Sequence, residues 1–440
     1  MKKKQSYVCD ACGYESPAWF GKCPSCGEWN TAVTFNHTDN RISQETRQVD
    51  IKPLSDVSIE ESPRLKSGME EFDRSIGGGI VPGSAVLISG EPGIGKSTFM
   101  LQLSNYIARD SQVLYVSGEE SPRQLKMRAD RLGLANTGNI HIMSANDITF
   151  IRTGDISRYA LMVFDSLQTL KLSDVPSLPG SIVQVRECAN ALVSSAKSSE
   201  IPVFIVSHVT KGGQIAGPKL IEHLVDTVLY FEASKTGYRF LRTVKNRFGP
   251  SDEIAVFEMT SSGLKEIADI SSVFVEDFVS SPGNIIAVIS EGSRAFLVEI
   301  QALVSRPIYG TPRRLSTGVP LERVLLVAAV LTKRANIPLD SLDLYVNVAG
   351  GLQIEDTGVD LAVATALISS FTDTAIPDNF AVFGELGLDG TVRSVSSAER
   401  RLDRVKNSPF NEVISPEGKN GIKDVKQLLR LIGGIKSGEK

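Results

Sequence analysis

The feature that most constrains this chain is a glycine-rich loop placed between a strand and a helix. Residues 90–97 read G-x-x-x-x-G-K-S, a pattern whose backbone N–H groups close around a polyphosphate. Residues 85–89 form a short apolar run typical of a buried parallel strand, and a helical pattern begins at Thr98. The N-terminus of that helix adds positive potential. The segment therefore predicts a nucleotide-binding α/β domain.

Each part of this loop has an expected role. Lys96 is expected to reach the β- and γ-phosphates of ATP, and the Ser97 hydroxyl is expected to bind Mg²⁺. A glycine-rich turn with a chance lysine is the alternative, but it leaves the flanking strand and helix unexplained. The predicted nucleotide-binding residues are Gly90, Glu91, Pro92, Gly93, Ile94, Gly95, Lys96, Ser97 and Thr98.

The length and net charge of the chain narrow the classes of protein to which it could belong. At 440 residues the chain suggests about three domains. The net charge of −4 shows no bulk basicity, so a nucleic-acid site would be a local patch or a channel formed by several subunits. No run of about 18 apolar residues is present, so no membrane span is expected. The N-terminus lacks the apolar region of a secretory signal, which predicts a cytoplasmic protein.

Four of the five cysteines form two C-x-x-C pairs, Cys9 with Cys12 and Cys23 with Cys26. Zn²⁺ prefers four thiolates in a tetrahedron, and each pair can present two sulfur atoms to one ion. A disulfide framework is disfavoured in a reducing cytosol. The pattern predicts a zinc ribbon, although it does not say whether the ribbon contacts DNA, a partner or its own chain. The fifth cysteine, Cys188, lies in a helical pattern typical of a buried side chain.

Strands and helices alternate beyond the loop. Apolar runs at residues 112–117, 161–165 and 201–208 are predicted strands. Ser121 and Gln124 flank Pro122 in the pattern of a capping box, which predicts a helix start. This alternation indicates a mainly parallel sheet with helices on both faces, and ligands bind such sheets at the carboxyl ends of the strands.

Three polar residues end these strands. Asp165 is expected to hold Mg²⁺ through water, with a helix cap as the structural alternative. Glu119 is expected to polarise the attacking water, a role for which its neighbour Glu120 competes. His208 is expected to sense the γ-phosphate, with an ordinary strand-end histidine as the alternative.

Two cationic segments follow His208. Lys211 lies in a glycine-rich stretch, and residues 233–249 contain five cations and no acidic residue. Lys245, Asn246, Arg247, Phe248 and Gly249 would present two cations, an amide and an aromatic ring at a strand end. That set suits phosphate, either of DNA or of a nucleotide on the next subunit. A solvated basic hairpin is the alternative.

Taken together, these motifs resemble those of the bacterial RadA (Sms) family of DNA repair and recombination proteins, which are RecA-like ATPases. The resemblance covers nearly the whole chain, and the residues that carry it are the cysteine ribbon, residues 77–83, the phosphate loop, residues 115–121 and residues 245–249. It implies a hexameric ring that uses ATP to move on single-stranded DNA. It also implies branch migration of branched recombination intermediates in association with the RecA recombinase.

The C-terminal third resembles the proteolytic domain of Lon protease. That enzyme uses a serine nucleophile with a lysine base, two groups that must lie within hydrogen-bond reach. The corresponding positions here are Val359 and Glu399, neither of which can perform the same chemistry. The resemblance therefore implies a proteolytically inactive domain kept for assembly or DNA contact.

The predicted fold class is α/β, with an N-terminal zinc ribbon, a RecA-like P-loop ATPase core and a C-terminal α+β Lon-protease-like domain. The predicted boundaries are 1–34 for the ribbon, 35–62 for a linker, 63–270 for the ATPase domain and 271–440 for the last domain. The rival functions are a RecA-type filament that pairs strands, an ATP-dependent protease and a KaiC-like signalling ATPase. Closed rings in electron micrographs and a casein assay would separate the first two from the main hypothesis.

Overall fold

The computed structural model describes residues 5–9, 14–36, 53, 63–208, 221–234, 237–275, 277–307, 310–417 and 421–437. The chain divides into two compact units. One comprises Met1–Glu232 with Arg239–Glu266, and the other comprises Ala233–Tyr238 with Ile267–Lys440.

The N-terminal segment forms a three-stranded antiparallel sheet. Its strands are β1 (Gln5–Cys9), β2 (Glu15–Ser16) and β3 (Ala32–Asn36), in the order β2-β1-β3. Tyr7 pairs with Ser16 on one side and Thr34 on the other. Strand β3 thus continues past residue 34, the predicted end of the ribbon.

A nine-stranded sheet forms the centre of the first unit. Its strands are β4 (Ala85–Gly90), β5 (Gln112–Ser117), β6 (Ile140–Ser144), β7 (Tyr159–Asp165), β8 (Val203–His208), β9 (Thr227–Ala233), β10 (Tyr238–Asn246), β11 (Ile254–Thr260) and β12 (Gly263–Glu266). Their order is β12-β11-β10-β9-β4-β8-β7-β5-β6. Strands β4 to β9 pair in parallel, whereas β11 and β12 form an antiparallel hairpin. The predicted mainly parallel sheet is confirmed.

The central strands of this sheet are buried on both faces. The helices of the unit that lie wholly within the described residues are α1 (Glu70–Ser75), α2 (Lys96–Ile107), α3 (Pro122–Arg131) and α4 (Ile182–Ser199). Along β4, Val86 and Ile88 belong to one core layer together with Phe99 of α2. Leu87 belongs to the opposite layer together with Leu192 of α4. Burial on both faces explains why the central strands read as continuous apolar runs rather than alternating ones.

The start of α3 follows its sequence signal. Ser121 is the N-cap, its side chain accepts from the Gln124 backbone N–H, and the Gln124 side chain accepts from the Ser121 N–H at 2.8 Å. Pro122 occupies the first helical turn. The predicted capping box is confirmed. Cys188 lies fully buried on α4, and burial raises the pKa of its thiol to about 12, which makes it unreactive.

The second unit is an α+β arrangement. Its strands are β13 (Asn284–Glu291), β14 (Arg294–Ser305), β15 (Arg314–Thr317), β16 (Asp343–Val348), β17 (Phe380–Val382), β18 (Glu385–Leu386), β19 (Val392–Arg393) and β20 (Glu412–Ile414). Six of them form a mixed sheet in the order β15-β16-β14-β13-β17-β20, and β18 pairs with β19. The helices are α5 (Ile270–Val275), α6 (Leu321–Ala335), α7 (Asp360–Thr372), α8 (Ala398–Lys406) and α9 (Val425–Ser437).

Two arginines enclose the N-terminus of α7. The fully buried Arg401 pairs with Asp356 at 2.8 Å and donates to the Val288 carbonyl at 2.6 Å. Arg323 binds the buried Asp360 carboxylate through two hydrogen bonds of 2.6 and 2.8 Å. Such buried pairs are stable only when both charges keep their partners.

The position where the Lon resemblance places a nucleophile lies close to these ion pairs and is buried. Val359 has no exposed surface. A Cβ atom added to the neighbouring Gly358 would lie 2.8 Å from the Arg401 Nη1 atom, so a side chain there would require the buried guanidinium to shift. Glu399, the position of the Lon base, is exposed in the first turn of α8.

Candidate functional site

The phosphate loop joins β4 to α2 at the carboxyl edge of the nine-stranded sheet. Gly93 and Gly95 have φ angles of +77° and +120°, a region that favours glycine. A Cβ atom at Gly95 would also approach the Met259 side chain to 2.9 Å. The loop therefore needs glycine at these positions in order to bring its backbone N–H groups to the start of α2.

Lys96 is the first residue of α2 and is 3% exposed. Its Nζ donates to the carbonyl oxygens of Gly90 at 2.7 Å and Glu91 at 2.9 Å. Burial lowers the pKa of Lys96 to about 8, while the negative charges of Asp165 and Glu119 oppose that shift. The side chain thus holds a cation within the loop, beside two carboxylates.

Asp165 ends β7 and is 5% exposed. Its Oδ2 atom accepts a 2.8 Å hydrogen bond from the hydroxyl of Tyr115. Its Oδ1 atom is buried and has no hydrogen-bond partner among the residues that the structure describes. A buried carboxylate oxygen without a partner is costly unless a ligand satisfies it, and oxygen is the ligand that Mg²⁺ prefers. The geometry therefore fits a magnesium ion held by Asp165, directly or through water.

Tyr115 fixes the orientation of this carboxylate. It is fully buried in β5, and burial raises its pKa well above the usual range, with the negative charge of Asp165 adding to the shift. Because the hydroxyl keeps its proton, it remains a donor to Oδ2 and leaves Oδ1 available.

Glu119 lies just past β5, whose last residue pairs with Asp165 in parallel register. Its Oε1 atom accepts from the Ser166 hydroxyl and from the His208 ring, whose Nε2 atom is 3.1 Å away. The hydrogen bond from His208 lowers the pKa of Glu119 to about 2, against the opposing effect of burial. Glu119 is therefore ionised throughout the neutral pH range and is held by two neighbouring strand ends.

The adjacent carboxylate has a different environment. Glu120 pairs with Arg128 of α3, and burial raises its pKa. Its backbone N–H donates to the Ser117 hydroxyl at 2.9 Å. The two glutamates thus differ in partner and in the direction of their pKa shifts, a difference that the sequence does not reveal.

The pentapeptide 245–249 lies at the end of β10, as predicted. Lys245 Nζ donates to the carbonyls of Glu222 at 2.6 Å and Val225 at 2.8 Å, and burial lowers its pKa. Arg247 is 49% exposed and pairs with the buried Asp226 at 3.3 Å. Both cations therefore contact the segment before β9.

The remaining pentapeptide residues pack against the glycine turn of residues 77–79. Asn246 Nδ2 donates to the Ile76 carbonyl at 3.1 Å, and Arg64 donates to the Phe248 carbonyl at 2.6 Å. A Cβ atom at Gly249 would lie 3.0 Å from the Gly77 Cα atom. The pentapeptide therefore has a structural role within its own unit. A contact with DNA or a neighbouring nucleotide stays a prediction, and Lys211 lies outside the described residues.

Three predicted zinc ligands converge in the ribbon. The sulfur atoms of Cys9, Cys23 and Cys26 all lie within 4.8 Å of one another. Cys9 and Cys26 are separated by 3.7 Å between sulfurs. Cys12, the fourth predicted ligand, lies outside the described residues. Three converging thiols suit Zn²⁺, which is bound by thiolates in structural sites.

Replacing Cys9 with serine is expected to release zinc from the purified protein, because a structural site needs all its thiolates to hold the ion. Metal analysis by atomic absorption would measure this loss. The matched control is Cys188→Ser, which removes a buried cysteine on α4 and should leave the zinc content unchanged. Full zinc content in the Cys9 variant would remove Cys9 from the ligand set.

The sequence did not predict several residues that lie at the carboxyl edge of the nine-stranded sheet, beside Asp165 and Glu119. Tyr115 and Ser166 contact the two acidic residues, and Gln168 Nε2 donates to the Ser207 hydroxyl at 2.8 Å. The only local signal was the presence of Ser166 and Gln168 directly after Asp165. The Tyr115 contact had no local signal, because it joins residues 50 positions apart.

The parallel sheet, the phosphate loop and the acidic strand ends define a RecA-like P-loop ATPase, an enzyme that hydrolyses ATP. Family models match three segments of the chain. They are described as the rubredoxin metal binding domain (residues 7–33), KaiC (residues 65–152) and subunit ChlI of Mg-chelatase (residues 320–419).

Relatives identify the family. The chain is 44% identical to the DNA repair protein RadA of Bacillus subtilis (strain 168), over 94% of this chain and 93% of the relative. It is 42% identical to the DNA repair protein RadA of Aquifex aeolicus (strain VF5), over 94% of both chains. The chain belongs to the RadA family. Among solved structures, the RadB recombinase aligns over 46% of this chain and 99% of its own, with 23% identity and a TM-score of 0.37.

Among the described residues, no helix combines the length and the apolar character that a membrane span requires.

Proposed function

We propose that this protein is a DNA-dependent ATPase of homologous recombination and DNA repair that moves on single-stranded DNA and promotes branch migration of recombination intermediates. The observation that carries this proposal is the meeting of Lys96, Asp165 and Glu119 at one sheet edge, in a chain whose relatives are named DNA repair proteins. The three groups supply a phosphate-binding cation, a metal-binding carboxylate and an ionised base.

The chemistry follows from these positions. The loop of residues 90–98 binds the triphosphate, and Lys96 exchanges its carbonyl partners for the β- and γ-phosphates. Ser97 and Asp165 would hold Mg²⁺, which supplies neutralisation of phosphate charge. Glu119 orients the attacking water and accepts its proton, while His208 and Ser166 fix the carboxylate.

The remaining parts have supporting roles in this proposal. Cys9, Cys12, Cys23 and Cys26 bind zinc and stabilise a ribbon that has little core of its own. Lys211 and the exposed Arg247 contact DNA or the nucleotide of a neighbouring subunit. The ribbon is followed by a linker up to residue 62, the ATPase domain up to residue 270 and a last domain that is proteolytically inactive.

We further propose a hexameric ring with ATP at the subunit boundary, acting in the cytoplasm together with the RecA recombinase. A closed ring explains how a chain with a net charge of −4 can still bind DNA, because cations from several subunits can line one channel. Electron microscopy of the protein with ATP and DNA tests this, since a strand-pairing filament would appear as an open helix.

Single-stranded DNA is expected to stimulate ATP hydrolysis in a salt-dependent way. The concentration of oligothymidylate that gives half-maximal stimulation should rise roughly ten-fold or more between about 50 and 200 mM salt, because phosphate contacts release counterions. Steady-state ATPase rates with and without the oligonucleotide measure the effect, and the DNA-free rate serves as the control. Absence of stimulation at every salt concentration would exclude a DNA-dependent motor.

A further inference from the structure

The ribbon carries two exposed indole rings. Trp19 and Trp29 are 63% and 67% exposed, and they are the only two tryptophans of the whole chain. Burying a tryptophan side chain removes a large apolar area from water and is therefore strongly favourable. Two exposed tryptophans on one small domain thus indicate a contact surface.

The two rings border one space. A Cβ atom added to Gly21 would lie 3.4 Å from Trp19 Cη2 and 4.0 Å from Trp29 Cζ3. Gly21 therefore forms the floor between the indoles, and its lack of a side chain keeps both ring edges accessible.

The local backbone keeps this arrangement in place. Lys22 and Trp29 form an antiparallel bridge, and the Asn30 N–H donates to the Gly21 carbonyl at 2.8 Å. This bridge flanks the second cysteine pair, because Cys23 follows Lys22 directly and its N–H donates to the Glu28 carbonyl at 2.8 Å. Trp29 thus lies on a hairpin whose turn carries Cys23 and Cys26, and Trp19 lies two residues before that hairpin begins.

A positive charge lies over one face of the Trp29 ring. The Lys22 ammonium is 5.6 Å from the centroid of the Trp29 ring. An aromatic face for a base next to a cation for its phosphate is the combination by which proteins bind single-stranded nucleic acid without sequence preference. A proline-rich peptide also docks on aromatic grooves but has no charge for Lys22 to neutralise.

We propose that Trp19, Gly21, Lys22 and Trp29, here called the ribbon platform, bind single-stranded DNA by stacking unpaired bases on the two indoles. This inference rests on the proposed DNA function and adds to it a second contact, separate from the ATPase edge. The ligand class is an unpaired nucleotide segment, because the bases of a duplex are already stacked on one another.

Tryptophan fluorescence tests the platform directly, because both tryptophans of the chain lie in the ribbon. Adding oligothymidylate to the full-length protein is expected to quench this emission, as stacking on an indole does. An abasic deoxyribose-phosphate oligomer of equal length is the control, and it should bind through charge alone with little quenching.

Substitutions give a second measurement. Trp19→Ala and Trp29→Ala should each weaken oligothymidylate binding roughly ten-fold, as loss of one stacked base does. Gly21→Leu, which fills the space between the rings, should weaken binding while keeping both indoles. Zinc content confirms that each variant retains a folded ribbon, and Met127→Ala, which removes an exposed side chain on α3, is the control for a surface change elsewhere.

The outcomes separate this proposal from the function of the whole protein. DNA-stimulated ATPase activity without any change in tryptophan emission would overturn the platform and leave the motor intact. Quenching by a proline-rich peptide but not by oligothymidylate would also overturn it, in favour of a protein partner. Quenching by DNA without stimulated hydrolysis would support the platform and contradict the motor.

Discussion

Replacing Glu119 with glutamine is expected to lower the ATP turnover number by about 10²- to 10⁴-fold, the usual contribution of a general base. Glutamine keeps the shape of the side chain but cannot accept a proton. ATP affinity should change little, because the loop and Lys96 provide the phosphate contacts. Steady-state phosphate release measures turnover, and titration with a fluorescent ATP analogue measures binding.

Glu120→Gln is the matched control for this experiment. Glu120 is the neighbouring carboxylate, but its partner is Arg128 rather than His208 and Ser166. Its substitution should leave the turnover number within a few-fold of the unmodified protein. The reverse pattern, with Glu120→Gln inactive and Glu119→Gln active, would transfer the role of the base to Glu120.

Replacing Lys96 with alanine is expected to reduce kcat/KM for ATP by at least about 10²- to 10³-fold. A loss of this size is usual when an enzyme loses one group that stabilises charge in the transition state. The effect is large because the ammonium is buried, where charge is screened less than in water. Unlike Glu119→Gln, this variant should also lose ATP affinity. The same two assays therefore distinguish a binding defect from a chemical one.

The control for Lys96 is Lys126→Ala on α3. Lys126 is also a helical lysine in the first unit, but it is exposed and pairs with the exposed Asp130. Exposed pairs of this kind contribute little to stability, so activity should be unchanged. Normal turnover in Lys96→Ala would rule out the phosphate loop as the ATP site.

Strands and helices that a short sequence pattern marks were predicted well from the sequence. The predicted strand at residues 112–117 coincides with β5, and the capping box placed the start of α3 at Pro122. The predicted strand at residues 161–165 was too short at its N-terminal end, since β7 begins at Tyr159. A buried parallel strand reveals itself by composition, and a capped helix by spacing, so neither needs knowledge of distant residues.

Contacts between distant residues could not be predicted in this way. The motif at residues 245–249 was interpreted from its charges, yet Lys245 binds two carbonyl groups about 20 residues earlier. The difference between Glu119 and Glu120 likewise depends on His208, 89 positions away. Sequence periodicity shows which face of an element is buried, but not which polar atoms meet across the fold.

The two arginines around α7 also bear on whether a serine nucleophile could be introduced there. A serine introduced at Val359 would be buried and out of contact with solvent. A serine introduced at Gly358 would come too close to the Arg401 guanidinium unless that group moved. Removing Arg401 to make room would leave the Asp356 carboxylate without its cationic partner. A serine nucleophile at this place would thus need further replacements around it, so a single substitution is not expected to give the domain peptidase activity.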